Sequence, residues 1–535
     1  MLIKIIKKTT TKKIYLILLI TVLTVLSSLN LFHDGIIINH DINFHLHRIL
    51  AISNNIKIGK IIPVYYNYLN GFGYGNGLFY PDIFLYFPAF LKYIGFTIEY
   101  SYKIFVILIN FTSIYTMYLC VKKITNSNKS AYISMILYSC STYRLIDLVD
   151  RGALGETIAF AFIPLVILGI HEILYGNYKN GFYLTIGLSG VCLSHVISFY
   201  LTCIFVLLAI IINSKCLKDK KRFKSLLANL LLSIMITCFF WTPLLEQIIS
   251  NEFNIDACQP IFEAIIPVFV LFIDFPVAQN LKNWYPSGIG LIYYYGIFIF
   301  IKSLIKNKFK CNNRFLLTLF ILSIIFMVIT CCTFIWKIDI FYNSFKFIQF
   351  PWRFNIVLTP LLTVAFSIML KDIKLNTVLK TFLIYTIVIF LANEVLYSTN
   401  IYSKEVTKEE IMTGEYLPKN FNYNLIYNYK NDKIKTNRNN NILNIEILKK
   451  TNNIEVPLIY YKGYKACNEE CYEVYKTDNG LVGIKIDSNT INLNVWYNGT
   501  NIYNITKYIS PISTLLLIYI IIKRILEKRK HNEKI

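Results

Sequence analysis

Apolar runs close to the length that crosses a bilayer, roughly 20 residues, recur along most of this chain, and nothing else in the sequence constrains the fold as strongly. They fall near 14–31, 100–121, 130–143, 157–174, 181–195, 197–213, 225–242, 288–305, 315–334, 354–370, 375–395 and 508–523. The pattern predicts an α-helical polytopic membrane protein with about 12 transmembrane helices. Composition agrees: 55% of the 535 residues are hydrophobic and 16% are charged, against about a quarter charged in soluble chains.

The formal net charge of +23 raises the question of nucleic acid, and its placement answers it. Basic residues cluster between alternate runs: Lys122, Lys123 and Lys129; Lys215, Lys218, Lys220, Lys221, Arg222 and Lys224; Lys302, Lys306, Lys308, Lys310 and Arg314; Lys371 and Lys374; then Lys523, Arg524, Lys528, Arg529 and Lys530. The stretch 244–287 carries five acidic residues and one Lys. This alternation is what cytoplasmic and external loops show, so the partner expected of the charge is membrane lipid, with no nucleic acid. Ile14 to Leu31, behind five lysines, reads as an uncleaved first span. Both termini are then expected in the cytoplasm of a multi-pass cell-membrane protein.

Two segments break the pattern. Residues 78–96 are apolar but interrupted by Pro81, Asp82, Pro88 and Lys92, which suggests an interfacial or re-entrant helix on the outer surface. Residues 396–507 are polar, with period-two alternation such as Ile442-Leu443-Asn444-Ile445-Glu446-Ile447, the mark of half-buried strands. The expected organisation is a multi-span domain over 1–395, a small extracytoplasmic β-rich domain over 396–507, and a last helix with a basic tail over 508–535. Most of the 12 cysteines lie in apolar runs, as small hydrophobes. Cys467 and Cys471 do not; a disulfide and two free thiols are both open. Nothing resembles a CxxC or His-rich metal motif, so no metal site is expected.

The polar residues able to do chemistry map to the outer side. Asp41, His45 and Arg48 are spaced to share one face of a helix. A carboxylate, an imidazole and a guanidinium together can take a proton and hold an anion; a solvated face with an ordinary ion pair is the plainer alternative. The glycine-rich stretch 71–82 ends in Tyr80 and Asp82 and suits a loop lining a substrate. Arg144, Asp147, Asp150, Arg151 and Glu156 form a second charged group, costly at a membrane boundary unless paired or functional. His195 ends a short run on the same side. Gln349 and Arg353 sit at another outer boundary, where Arg353 serves either as an anchor or as a phosphate ligand.

The stretches DINFHLHRI at 41–49, GYGNGLFYPDIFLY at 73–86, RGALGE at 151–156, FIQFPWRF at 347–354, GEYLP at 414–418 and PLIYYKGY at 457–464 together resemble bacterial membrane proteins called 6-pyruvoyl-tetrahydropterin synthase-related, which overlap the YfhO-like proteins. The label does not bring pterin chemistry: no His-rich zinc site is present. The family in turn resembles the GT-C glycosyltransferases, multi-span enzymes with an acidic residue in the first outer loop and a polyprenyl-phosphate sugar donor. That likeness implies Asp41 as the base, with His45 and Glu156 as further catalytic candidates. It implies Arg48, Tyr80, Asp82, Asp150, Arg151, His195, Gln349 and Arg353 as substrate-binding residues. The partners implied are a polyprenyl-phosphate-linked sugar, membrane lipid and an envelope glycan acceptor. Asn43 and His45 stand where GT-C enzymes often carry a second acid, so no cofactor is assigned and a divalent cation stays open. The competing readings are a transporter or flippase for lipid-linked saccharides, and a non-catalytic assembly protein.

Overall fold

In the computed structural model the described residues are 2–37, 41–254, 261–273, 287–305, 313–372, 384–392, 402–403 and 414–533. The apolar runs become helices: α1 Leu2–Leu26, then, after the loop helix α2 Ile42–Lys57, α3 Ile98–Thr125, α4 Asn128–Ser139, α5 Leu154–Leu174, α6 Phe182–Cys192, α7 Val196–Ile212, α8 Lys220–Ser250, α9 Leu291–Ile305, α10 Arg314–Cys331, α11 Asn355–Met369 and α12 Asn501–Glu533. The run expected at 375–395 lies mostly outside the described residues, as do Lys306, Lys308, Lys310 and Lys374. Side chains set several starts by accepting an otherwise orphaned backbone N–H. Thr97 caps α3, Ser127 caps α4, Asp219 caps α8 and Asn313 caps α10.

Six helical segments among the described residues are long and apolar enough to span a membrane, and α1, α7 and residues 83–93 contribute shorter apolar stretches. α4 and α6 have 12 and 11 residues, shorter than a full crossing needs. The first span also ends sooner than expected. Ser27 and Ser28 leave the helix line to accept hydrogen bonds from the Asn110 amide of α3, at 2.9 and 2.7 Å. The 78–96 segment breaks into three short helical pieces, as its prolines dictate.

The bundle has a clear polarity. The apolar window of α5 is 89% buried and that of the segment containing α11 94%, whereas α12 is 17% buried and so faces outward. The basic connections gather at one end. Lys129 donates to the Lys371 carbonyl, Arg222 to the carbonyls of Ile173 and Gly176, and Arg524 to the side chain of Asn180. The starts of α5, α7 and α11 lie at the other end.

Beyond that opposite end sits a β unit. Strands β1 Ile434–Asn439, β2 Ile442–Ile447, β8 Asn492–Tyr497, β4 Tyr464–Cys467 and β5 Cys471–Tyr472 form one antiparallel sheet in that order. A second sheet runs β3 Asn453–Ile459, β7 Leu481–Lys485, β6 Val474–Lys476. Alternation sends Leu443, Ile445, Leu493 and Val495 from one sheet, and Ile454, Val456, Val482 and Ile484 from the other, into one core. Cys467 and Cys471 are joined by a disulfide. The core is not built from this segment alone: Val64, Leu69, Phe72 and Phe79 of the loop after α2 pack into it, and Arg438 donates to the Gly71 carbonyl at 2.5 Å. Gln247, near the end of α8, exchanges two hydrogen bonds with the backbone of Lys462, at 2.7 and 2.9 Å. The β unit and the site-bearing loop are therefore one packed body.

Candidate functional site

The RGALGE turn positions the centre. Arg151 follows a π-helical turn, Ile146–Asp150, and precedes α5. Gly152 has φ +58°, and a Cβ there would overlap Ile42 at the start of α2, so the turn can lie directly on α2. A Cβ on Gly155 would overlap the Tyr80 hydroxyl. The two glycines let three distant segments touch. The backbone N–H of Asp41 donates to the Arg151 carbonyl at 3.1 Å.

The side chains then form a charged cluster. Arg151 pairs with Asp147 at 2.5 Å and with Glu156 at 3.3 Å. Arg353, just before α11, reaches the same Glu156 oxygen at 3.3 Å. Tyr143 donates to the other Glu156 oxygen at 2.7 Å. Arg353 also donates to the Ile348 carbonyl and to Gln349, at 2.9 and 2.7 Å, and Gln349 sits at φ +69°, a conformation unusual for a side chain of its kind. Trp352 lies under Arg151, 4.7 Å from guanidinium carbon to ring centre. Glu156, Arg151 and Arg353 are all buried. Removing a partner from such a buried pair costs about 3–5 kcal/mol, so Glu156 holds the two guanidiniums in place. Burial and the neighbouring Glu156 push the Asp147 carboxyl well above the usual carboxylate range. The cluster thus sets two guanidiniums against one committed carboxylate and one biased toward its neutral form.

Asp41 stands at the mouth. Its side chain is 49% exposed and lies 4.0 Å from Arg151, and among the described residues it makes no side-chain hydrogen bond. The expected shared face of Asp41, His45 and Arg48 divides. Asp41 precedes α2 and faces Arg151, while His45 and Arg48 turn inward and are buried. Arg48 is saturated: it holds Asp82 at 2.5 Å, the Pro81 carbonyl at 2.8 Å and the His45 Nδ1 at 3.1 Å, with the Tyr80 ring 4.1 Å from its guanidinium carbon. It is a support for the loop rather than an open phosphate ligand. A guanidinium can only donate, so His45 Nδ1 accepts and the ring proton is on Nε2. Burial, aided by Arg48, holds the His45 pKa well below its ordinary value.

His195 caps α7, its Nδ1 accepting from the Ser198 N–H at 3.3 Å, and Tyr80 lies 5.7 Å from it, ring to ring. Asp150 is buried in the π-helical turn, but it is Asp147 that pairs with Arg151. Arg144 points away, held by Ser113, the Tyr138 carbonyl and Asn110, neutral groups that lock α3, α4 and the turn together. Glu415 and Tyr416 were not foreseen. Glu415 is mostly buried, and burial raises its pKa although Arg353 opposes the shift; Asp41 adds to the rise. Only the GEYLP stretch hinted at it. Among the described residues no group of three or more His, Cys, Asp or Glu converges as metal ligands do.

What this geometry offers is an accessible carboxylate beside two guanidiniums, at the N-terminal ends of α5, α7 and α11. Helix N-termini carry partial positive charge and favour anions. Residues 78–401 match a family described as 6-pyruvoyl-tetrahydropterin synthase related domain, membrane protein. An uncharacterised protein of Lactococcus lactis subsp. cremoris (strain MG1363) is 26% identical over 338 residues, 60% of this chain and 54% of that protein. The chain thus spans about half the length of that relative. Arabinofuranosyltransferase AftD from Mycobacteria superposes with a TM-score of 0.43 at 13% identity, over 72% of this chain and 27% of AftD, a likeness too slight to carry an argument about activity.

Proposed function

The chain belongs to the 6-pyruvoyl-tetrahydropterin synthase-related family of membrane proteins, and on that premise we propose that it is a GT-C-type glycosyltransferase. It moves a sugar from a polyprenyl-phosphate carrier to an envelope glycan or lipid acceptor on the outer face of the membrane. The observation that carries the reading is Asp41: a half-exposed carboxylate 4.0 Å from a buried guanidinium, at the end of the bundle away from the basic connections.

Asp41 takes the proton of the acceptor hydroxyl as that oxygen attacks the anomeric carbon. The bond from this carbon to the phosphate oxygen breaks, and its electron pair stays on the phosphate. A single displacement inverts the carbon. The departing lipid phosphate gains charge, which Arg151 and Arg353, buried against Glu156, and the starts of α5, α7 and α11 stabilise through their electrostatic field rather than by direct ligation. His45 acts through Arg48, which it helps to position, and Glu156 acts through the arginines it holds. A flippase would use the same arginines without a base. The gathering of accessible charge at one end of the bundle, rather than along a crossing path, favours transfer.

The test is mass spectrometry of envelope glycans from cells with the chain, without it, and with Asp41→Asn. One decoration is expected to vanish on deletion. In vitro, Asp41→Asn should slow transfer from the extracted lipid-linked sugar pool by about 100-fold or more while lipid binding persists. Transfer at the wild-type rate by Asp41→Asn removes Asp41 as the base, and glycans unchanged by deletion end the proposal.

A further inference from the structure

Resting on the transfer reading, we infer that a saccharide-binding subsite for the acceptor runs from Asp41 along the exposed side of α2 to Glu415, walled by Phe44, His47, Tyr68 and Tyr74.

Asp41, Phe44 and His47 recur at every third position and are all partly exposed on a helix whose other positions here are buried. At 1.5 Å per residue they span about 9 Å, room for one to two sugar rings. The row continues on the loop after α2. Tyr68 lies 5.9 Å from His47 and 5.9 Å from Tyr74, ring to ring, and all three are partly exposed. Tyr74 donates to the Glu415 carbonyl at 2.9 Å, which ties the row to the segment entering the β unit. The Glu415 carboxyl in turn lies within electrostatic reach of Arg353 and Asp41. The aromatic row therefore begins beside Asp41 and ends at the Glu415 backbone.

This lining selects a ligand class. Partly exposed rings gain from covering by a flat apolar face, and the C–H face of a sugar ring supplies one. Carboxylates, an imidazole and phenols at the rim accept and donate to hydroxyls. Two carboxylates at the ends disfavour a phosphate or another anion here, and an alkyl chain would leave the rim's polar groups unpaired. A neutral polyol meets each condition. The placement also suits the chemistry, since an acceptor lying along α2 presents a hydroxyl to Asp41.

The experiment is saturation-transfer NMR on the full chain in detergent. The probe is the oligosaccharide mixture that mild acid releases from the envelope of cells carrying this chain. The wild type is expected to transfer saturation to sugar ring protons, and periodate treatment of the mixture to abolish the signal. Tyr68→Ala and His47→Ala should weaken binding about tenfold. Tyr68→Phe, which keeps the ring, should retain it and guards against simple misfolding. No saturation transfer to the wild type, unchanged binding by a folded Tyr68→Ala, or a signal that survives periodate each overturns the subsite. If binding follows this pattern but deletion leaves the envelope glycans unaltered, the subsite stands and the transfer reading falls.

Discussion

At the scale of single residues, what decides a role is which hydrogen-bonding capacity remains after folding. Arg48 has spent its donors on Asp82, Pro81 and His45; among the described residues Asp41 has kept its acceptors. His45 is bound to its neutral form by a donor that cannot accept, and this has a consequence in pH. Its folded pKa lies below its unfolded value, so below about pH 6.5 the unfolded chain takes up a proton that the folded chain refuses. The stability tied to neutral His45 is therefore present above that pH and lost as pH falls through it. Thermal unfolding in detergent should show this. His45→Asn, which still accepts from Arg48, should flatten the acid-side slope by up to about 1.4 kcal/mol per pH unit. Identical slopes in the two proteins would contradict the assignment.

At the scale of elements, the site exists because turns allow helices to meet end on. The start of α5 reaches α2 only through Gly152, whose φ of +58° and contact with Ile42 both exclude a side chain. Gly152→Ala should lose on the order of 2 kcal/mol. Gly59 is the matched control: its φ is +67° but nothing lies within 4 Å of the added Cβ. Gly59→Ala should then cost only the backbone strain. Thermal melts of the two variants separate crowding from conformation, and equal losses would show that the approach of the RGALGE turn to α2 is not tight.

At the scale of the whole molecule, charge is distributed end to end. Lys129, Arg222 and Arg524 anchor to carbonyls and amides at one end, while the site and the β unit occupy the other. If the basic end faces the cytoplasm, as membrane insertion favours, a cysteine at Tyr427, which is 78% exposed in the β unit, is outside. Tyr427→Cys should react with an impermeant maleimide in intact cells above the background of the native cysteines. Lys220→Cys should react only after permeabilisation. The reverse pattern would turn the molecule over and place the site in the cytoplasm.

The sequence by itself determined the membrane class, the helices on the apolar runs and the strand at 442–447, because hydrophobic length and period are local properties that burial reads directly. It also brought Asp41, Arg151, Glu156 and Arg353 to one end, because alternating loop charge sorts segments between the two ends of a bundle. Tertiary structure alone decided the rest. Which carboxylate stays open, that Arg48 is consumed by Asp82, that Glu415 arrives from the stretch between α11 and the β unit, and that the loop after α2 belongs to the β unit's core all depend on pairings between distant segments. No local pattern encodes the distance between two side chains whose separation is set by how helices and sheets pack.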